Sequence, residues 1–198
     1  AQPPLPLAND NKIPTLNSYF NYFTTELIIT KYGYADIVTA NNVYAHIDDM
    51  NSLTNSIRSL LSENGLFIFE VSYLADVIKN KLLGTIFHEH LSYHSIKPLI
   101  VFLNDHKLEI IKVSKNELQG GSVVCYVQHQ NGPYKIEDSV NEIIEEENIL
   151  QLDNANTIIN FNNGLQNYKV EINRILDDLL STGEKIAGFG SSISATTF

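Results

Sequence analysis

Hydrophobic and polar positions along this chain change period several times, and each change predicts an element. Tyr19, Phe20, Phe23, Leu27 and Ile28 recur at near-helical spacing and predict a helix within 17–31. Ala35-Asp36-Ile37-Val38-Thr39-Ala40 is a short, β-branched apolar run, expected to be a strand covered on both faces. Asn41-Asn42 then read as a loop at the strand end. Leu53, Ile57, Leu60 and Leu61 predict a helix from Met50 to Leu61, with Gly65 expected to provide a left-handed stop. Leu66 to Val71 is the next strand. Strand, helix and strand within about 30 residues is what a parallel crossover requires. In such sheets ligands gather at the carboxyl ends of the strands.

Further along, Leu99, Phe102 and Leu103 predict a helix over 95–107, with Pro98 in its first turn. Leu108 to Val113 and Ser122 to His129 read as two strands, close enough in sequence to form an antiparallel pair. Gly120-Gly121 forms the bend between them, and Asn131-Gly132-Pro133 is a candidate boundary. Beyond it, Val140, Ile143 and Ile144 predict a helix over 136–150. Its acidic run Glu145-Glu146-Glu147 is expected to face solvent. Ile172, Ile175, Leu176, Leu179 and Leu180 mark a long amphipathic helix ended by Gly183. Lys185 to Ser192 reads as a strand running into a glycine loop, and the proline-rich residues 1–12 as an irregular arm.

The chain has 198 residues, enough for one domain or parts of two. With 43% hydrophobic and 18% charged residues it can build a packed core. A net charge of −10 disfavours nonspecific binding to nucleic acid or anionic lipid. It leaves room for a small anionic ligand held by local dipoles. Cys125 is the single cysteine, which excludes an internal disulfide and any multi-cysteine zinc site and fits a reducing, cytoplasmic setting. No apolar run approaches the roughly 20 residues of a membrane helix. The first residues are too short and too rich in proline for a signal peptide. With no initial methionine and a stop at Phe198 in mid-pattern, both ends read as cut.

The densest chemistry is Phe87-His88-Glu89-His90-Leu91-Ser92-Tyr93, two imidazoles around a carboxylate. Three readings are open. A zinc-protease pattern is not met, because position 92 is Ser92 rather than histidine. His88, His90 and His94 have the right types for a metal, although His88 and His90 point apart if the chain is extended. One histidine beside Glu89 could serve as a general base, the carboxylate fixing its tautomer. A solvated or hydrogen-bonded loop is the third. His46, just beyond the first strand end, is either a packed residue or a neighbour of the same crevice. Gly188-Phe189-Gly190-Ser191-Ser192 could cradle a phosphate or form a plain strand-to-helix turn. The full dinucleotide fingerprint is absent, since position 193 is Ile193.

Taken in order, Tyr34 through Ile47, Gly65 through Val71, Phe87 through Tyr93, Gly120-Gly121-Ser122 and Ile186 through Gly190 resemble the sugar C-methyltransferases. These are S-adenosylmethionine-dependent enzymes acting on nucleotide-linked ketosugars, and the likeness covers roughly residues 10–198. The resemblance implies that His90 is the base, with Glu89 and His46 orienting it and holding an enolate oxygen. It implies that Ala40, Asn41 and Asn42 border the cofactor. It implies that Phe87 touches the sugar and that Gly188, Gly190 and Ser191 contact the nucleotide diphosphate. Three positions depart from the family: Phe87 stands where tyrosine is usual, Val124 where arginine is common, and Ser194 where lysine is frequent. The family's cysteine-rich zinc domain and glycine-rich cofactor loop have no counterpart here, so zinc is expected only in that missing domain.

The expected architecture is therefore α/β: a partial class I methyltransferase, Rossmann-like sheet over residues 1–131. A helical connection and the start of a second, sugar-nucleotide-binding α/β domain follow over 132–198. The expected activity of the intact enzyme is methylation of an enolisable carbon of a nucleotide-linked ketosugar, without nucleic acid or membrane partners. The chain alone is expected to have little activity. Methylation of another acceptor, or a non-catalytic sugar-nucleotide-binding remnant, are the alternatives.

Overall fold

The computed structural model describes residues 13–117 and 120–189. Four strands form one sheet: β1 (Ala35–Asn41), β2 (Leu61–Ser72), β3 (Leu108–Asn116) and β4 (Ser122–His129), in the order β1-β2-β4-β3. β1 and β2 are parallel, and β4 runs antiparallel to both β2 and β3. The strand-helix-strand unit and the expected antiparallel pair are both present. The proline-rich arm lies outside the described residues.

Among the described residues six α-helices accompany the sheet: α1 (Tyr22–Tyr32), α2 (Met50–Leu60), α3 (Leu74–Asn80), α4 (Ile96–Asp105), α5 (Asp138–Leu150) and α6 (Ala155–Ser181). The core follows from strand alternation. Phe67, Phe69 and Val71 of β2 pair with Val127, Cys125 and Val123 of β4, so all six point to one face and all six are fully buried. Ile57 of α2, Leu99 and Leu103 of α4, and Val140 and Ile143 of α5 close over them. Packing thus continues across Asn131-Gly132-Pro133 into the following helix.

Four expectations are corrected. β1 is not covered on both faces: it is the outer strand and Ile37 is 61% exposed. Gly65 does not stop a helix. α2 passes at Leu61 directly into β2, and Gly65 lies inside that strand where a Cβ would meet the Ala35 carbonyl oxygen at 2.8 Å. The register between β1 and β2 shifts at the same place. The acidic run of α5 is not wholly solvated: Glu147 is buried and accepts the amides of Ile96 and Lys97 at 2.5 and 3.0 Å, capping α4. Residues 184–189 hold no strand, and Gly190 to Ser192 lie outside the described residues. The short helix α3 was not anticipated, because its seven residues are too few for a periodic signal.

Candidate active site

Beyond β1 the chain turns at Asn42, whose φ of 52° is left-handed and whose amide donates to the Glu70 carbonyl at 2.9 Å. A single 3-10 turn, Tyr44–His46, follows. Tyr44 is fully buried and its ring stacks on Phe69 at 4.8 Å between centroids, while its hydroxyl meets Thr54. This anchor holds the turn against the core and leaves His46, two residues on, at the surface.

The segment after α3 wraps back over that turn. The amides of Leu91 and Ser92 both donate to the Ala45 carbonyl, at 2.8 and 3.3 Å. His94 forms the far anchor: it is buried, its carbonyl accepts the Leu74 amide at 2.9 Å, and its Nε2 is 3.0 Å from Ser92 Oγ. Burial pushes the His94 pKa down to about 4, so it is neutral near pH 7.

Between the anchors, two imidazoles meet. His46 and His90 have ring centroids 4.8 Å apart at 59°. His90 Nδ1 is 2.7 Å from the Thr85 carbonyl, and His46 Nδ1 is 2.8 Å from the Glu89 carbonyl. A carbonyl only accepts, so in each ring Nδ1 carries the proton and donates it. In the neutral rings this leaves the Nε2 lone pairs unengaged. Phe87 tilts over His90 at 4.1 Å between centroids, and Tyr93 meets it edge-on at 6.1 Å. The Tyr93 hydroxyl donates to the same Thr85 carbonyl at 3.2 Å.

The rings of His46, Phe87 and His90 line a cavity of about 480 Å³ together with Asn42, Leu82, Gly84 and Thr85. His90 is held below its ordinary pKa of 6.5. Burial lowers it most; the Thr85 carbonyl opposes this, the neighbouring His46 lowers it further, and the Glu89 carboxylate raises it. A neutral imidazole with a fixed tautomer and a free Nε2 is a competent proton acceptor.

The structure gathers His46, His90, Phe87 and Asn42 of the expected residues. Glu89 is present but exposed, and its side chain makes no hydrogen bond among the described residues. It orients His46 through its backbone and acts on His90 as a charge. Fixing of the His90 tautomer, expected from Glu89, falls to Thr85. Ala40 packs partly against the core and Asn41 does not line the cavity. Gly188 is exposed with nothing within 4 Å of a Cβ position, and Gly190 and Ser191 lie outside the described residues. Leu82, Gly84 and Thr85 carried no signal in sequence, because they act through backbone or apolar contact. Among the described residues no three His, Cys, Asp or Glu side chains group as a metal site. No helix among them is long and apolar enough to cross a membrane.

Residues 117–198 match the family described as C-methyltransferase C-terminal domain. The chain is also 30% identical over 185 residues to the C-methyltransferase NovU of Streptomyces niveus. Both matches make the chain similar to C-methyltransferases. The match covers 93% of this chain and 44% of that relative, so the chain spans less than half the relative's length. Among solved structures it is similar to an O-methyltransferase family protein from Burkholderia thailandensis, at 11% identity and a TM-score of 0.45, covering 64% of this chain and 40% of that one. A SAM-dependent methyltransferase from Anabaena variabilis is 16% identical with a TM-score of 0.43, covering 62% of each chain. Within the C-methyltransferase match, β4 is a strand of the main sheet, between β2 and β3.

Proposed function

We propose that the intact enzyme containing this chain methylates an enolisable carbon of a nucleotide-linked ketosugar, with His90 as the base. The observation that carries the reading is the His90 ring. Its Nδ1 proton is committed to Thr85, and its Nε2 is left to take a proton from a ligand in the cavity. As the carbon–hydrogen bond breaks, its electron pair becomes the enolate and the proton moves to Nε2. His46, in the adjoining ring, would hydrogen-bond the developing enolate oxygen through Nε2 when its ring is protonated at both nitrogens, Nδ1 donating to the Glu89 carbonyl. Asn41, Asn42 and the backbone at Ala40 would border S-adenosylmethionine beyond the carboxyl end of β1. When bound, that group supplies an electrophilic methyl. Residues 132–198 lead from this sheet to a second α/β domain.

The test uses the full-length enzyme and a panel of nucleotide-linked ketosugars. His90→Ala is expected to lower kcat by at least about 10²-fold, the usual contribution of a positioned base. Exchange of the substrate's α-hydrogen with deuterated water should fall with it. Full activity and full exchange in the variant would remove His90 from the role. The missing hydroxyl at Phe87 favours a second reading, a different acceptor. Turnover of a non-sugar enolisable acceptor, with none of the ketosugars used, selects that one.

A further inference from the structure

We propose that Tyr93 is a positioning residue for His90. Its hydroxyl shares the Thr85 carbonyl with His90 Nδ1 and so favours the neutral ring that can accept a proton. The proposal rests on the reading of His90 as the base and adds to it a residue that acts from the side away from the ligand. Two donors end on one oxygen. His90 Nδ1 is 2.7 Å from the Thr85 carbonyl, and the Tyr93 hydroxyl donates to the same atom at 3.2 Å. Tyr93 is half-buried and is not among the residues lining the cavity, so its route to the reaction runs through Thr85.

Both partners are held independently of this bond. Thr85 closes the 3-10 turn Leu83–Thr85, and its amide and Oγ1 both donate to the Leu82 carbonyl, at 3.1 and 2.8 Å. Tyr93 lies between two backbone anchors. The Ser92 amide donates to the Ala45 carbonyl at 3.3 Å, and the His94 carbonyl accepts the Leu74 amide at 2.9 Å. The carbonyl therefore keeps its place without the hydroxyl, and what the hydroxyl changes is the electrostatics at Nδ1.

The sign of that change follows from the geometry. An oxygen accepting two donors gives less to each, and the loss falls hardest on the imidazolium, whose N–H is a charge-assisted donor. The phenolic hydrogen also puts a partial positive charge beside Nδ1. Both effects disfavour the protonated ring. Burial holds the Tyr93 hydroxyl above its ordinary 10.0, the Phe87 backbone opposing, so it keeps its hydrogen wherever a histidine titrates. The other groups facing His90 are His46, which disfavours its charge, the Glu89 carboxylate, which favours it, and the uncharged ring of Phe87. Tyr93 acts with His46 and against Glu89.

The experiment follows the His90 imidazole by nuclear magnetic resonance in full-length enzyme carrying isotope-labelled histidine, the signal being assigned by its loss in His90→Asn. Tyr93→Phe keeps the ring and removes the hydroxyl. It should raise the proton affinity of His90 about two- to threefold, the lower end of what a neutral hydrogen bond contributes. A ring-fluorinated tyrosine introduced at position 93 is a stronger donor and should lower it. The acid limb of kcat/KM should move up with the titration in Tyr93→Phe, while kcat well above that limb changes less than about threefold. A merely structural role predicts a uniform loss of kcat with the limb in place, and that result overturns the proposal. So does an unmoved His90 titration in Tyr93→Phe, or a shift of the same sign in both substitutions. If Tyr93→Phe does not fold, the sign of the shift with fluorinated tyrosine decides. Failure of the base reading looks different. Full activity in His90→Ala, with the expected titration shifts, removes the base and leaves the coupling through Thr85. An inactive His90→Ala with unmoved titrations removes Tyr93 alone.

Discussion

His90 and His94 lie four residues apart and differ in what their surroundings allow. His94 is sealed between the core and Ser92 and has no open face, whereas His90 lines a cavity with Nδ1 tethered. Burial lowers both, but only His90 has a charged neighbour of each sign acting on it. By nuclear magnetic resonance, His90 should titrate below 6.5. His46→Ala should move it up by removing a like charge, and Glu89→Gln should move it down by removing an opposite one. A shift of the opposite sign in either variant would contradict the assigned electrostatics. His94 makes a stability prediction instead. Its folded pKa of about 4 is below the ordinary 6.5, so the unfolded chain takes up the proton first as pH falls. Its contribution is neutral above about pH 6.5 and turns increasingly destabilising down to about pH 4, by about 3 kcal/mol in all. Urea unfolding of the wild type and His94→Asn across that window checks this. The variant should show a correspondingly flatter acid dependence. The residue types at 88–90 were enough to mark a candidate site in sequence. The choice of His90 over His88 came from resemblance. The tautomer could not be read at all, because its determinant is the carbonyl of Thr85 and every residue has one.

At the scale of elements, a buried carboxylate joins α5 to the start of α4. The Glu147 carboxylate answers two amide donors that the first turn of α4 cannot satisfy internally, and it does so while buried. Glu147→Ala leaves both donors buried without an acceptor and should cost about 1–3 kcal/mol, read from the urea midpoint at constant slope. Glu145→Ala, on the exposed side of the same acidic run, should change little. Equal losses in the two would mean that the run acts only as a charged surface. Periodicity located every strand and five of the six helices, since repeats of two and 3.6 depend only on local order. It could not tell which of three consecutive glutamates turns inward, because that depends on an amide fifty-one residues away. Gly65 misled for a similar reason: its lack of a side chain answers the approach of β1, not the end of a helix. Gly121 is a further case. Its φ of +135° suits glycine, and a Cβ there would collide with Asp76, so Gly121→Ala should destabilise through both backbone and packing.

For the molecule as a whole, the sheet ends in β1 on one side and β3 on the other, each with a single strand neighbour among the described residues. Leu108, Ile110 and Val113 of β3 are buried in the core with α4 and α5, whereas β1 contributes no fully buried residue. Large apolar side chains are exposed on β1 and in the segment before it: Ile37 of β1 is 61% exposed, Tyr34 just before it 64%, and Phe23 and Tyr19 further upstream 81% and 87%. An unpaired strand edge beside exposed aromatic rings is a template for pairing with another chain. The net charge of −10 opposes association, but only while it is unscreened. The isolated chain should therefore self-associate in a concentration-dependent way, and more strongly at 0.5–1 M salt, where the Debye length falls to about 3–4 Å. Ile37→Lys places a charge on the edge strand, where no core contact is lost, and should reduce association without lowering the unfolding midpoint. Phe23→Ser, on the neighbouring helix α1, should act in the same direction through lost apolar area. Sedimentation at two salt concentrations distinguishes the cases. If the wild type stays monomeric at high salt, the edge is already protected. If Ile37→Lys associates as before, the contact lies elsewhere, and the uncovered side chains of α6, none of them buried, become the surface to test next.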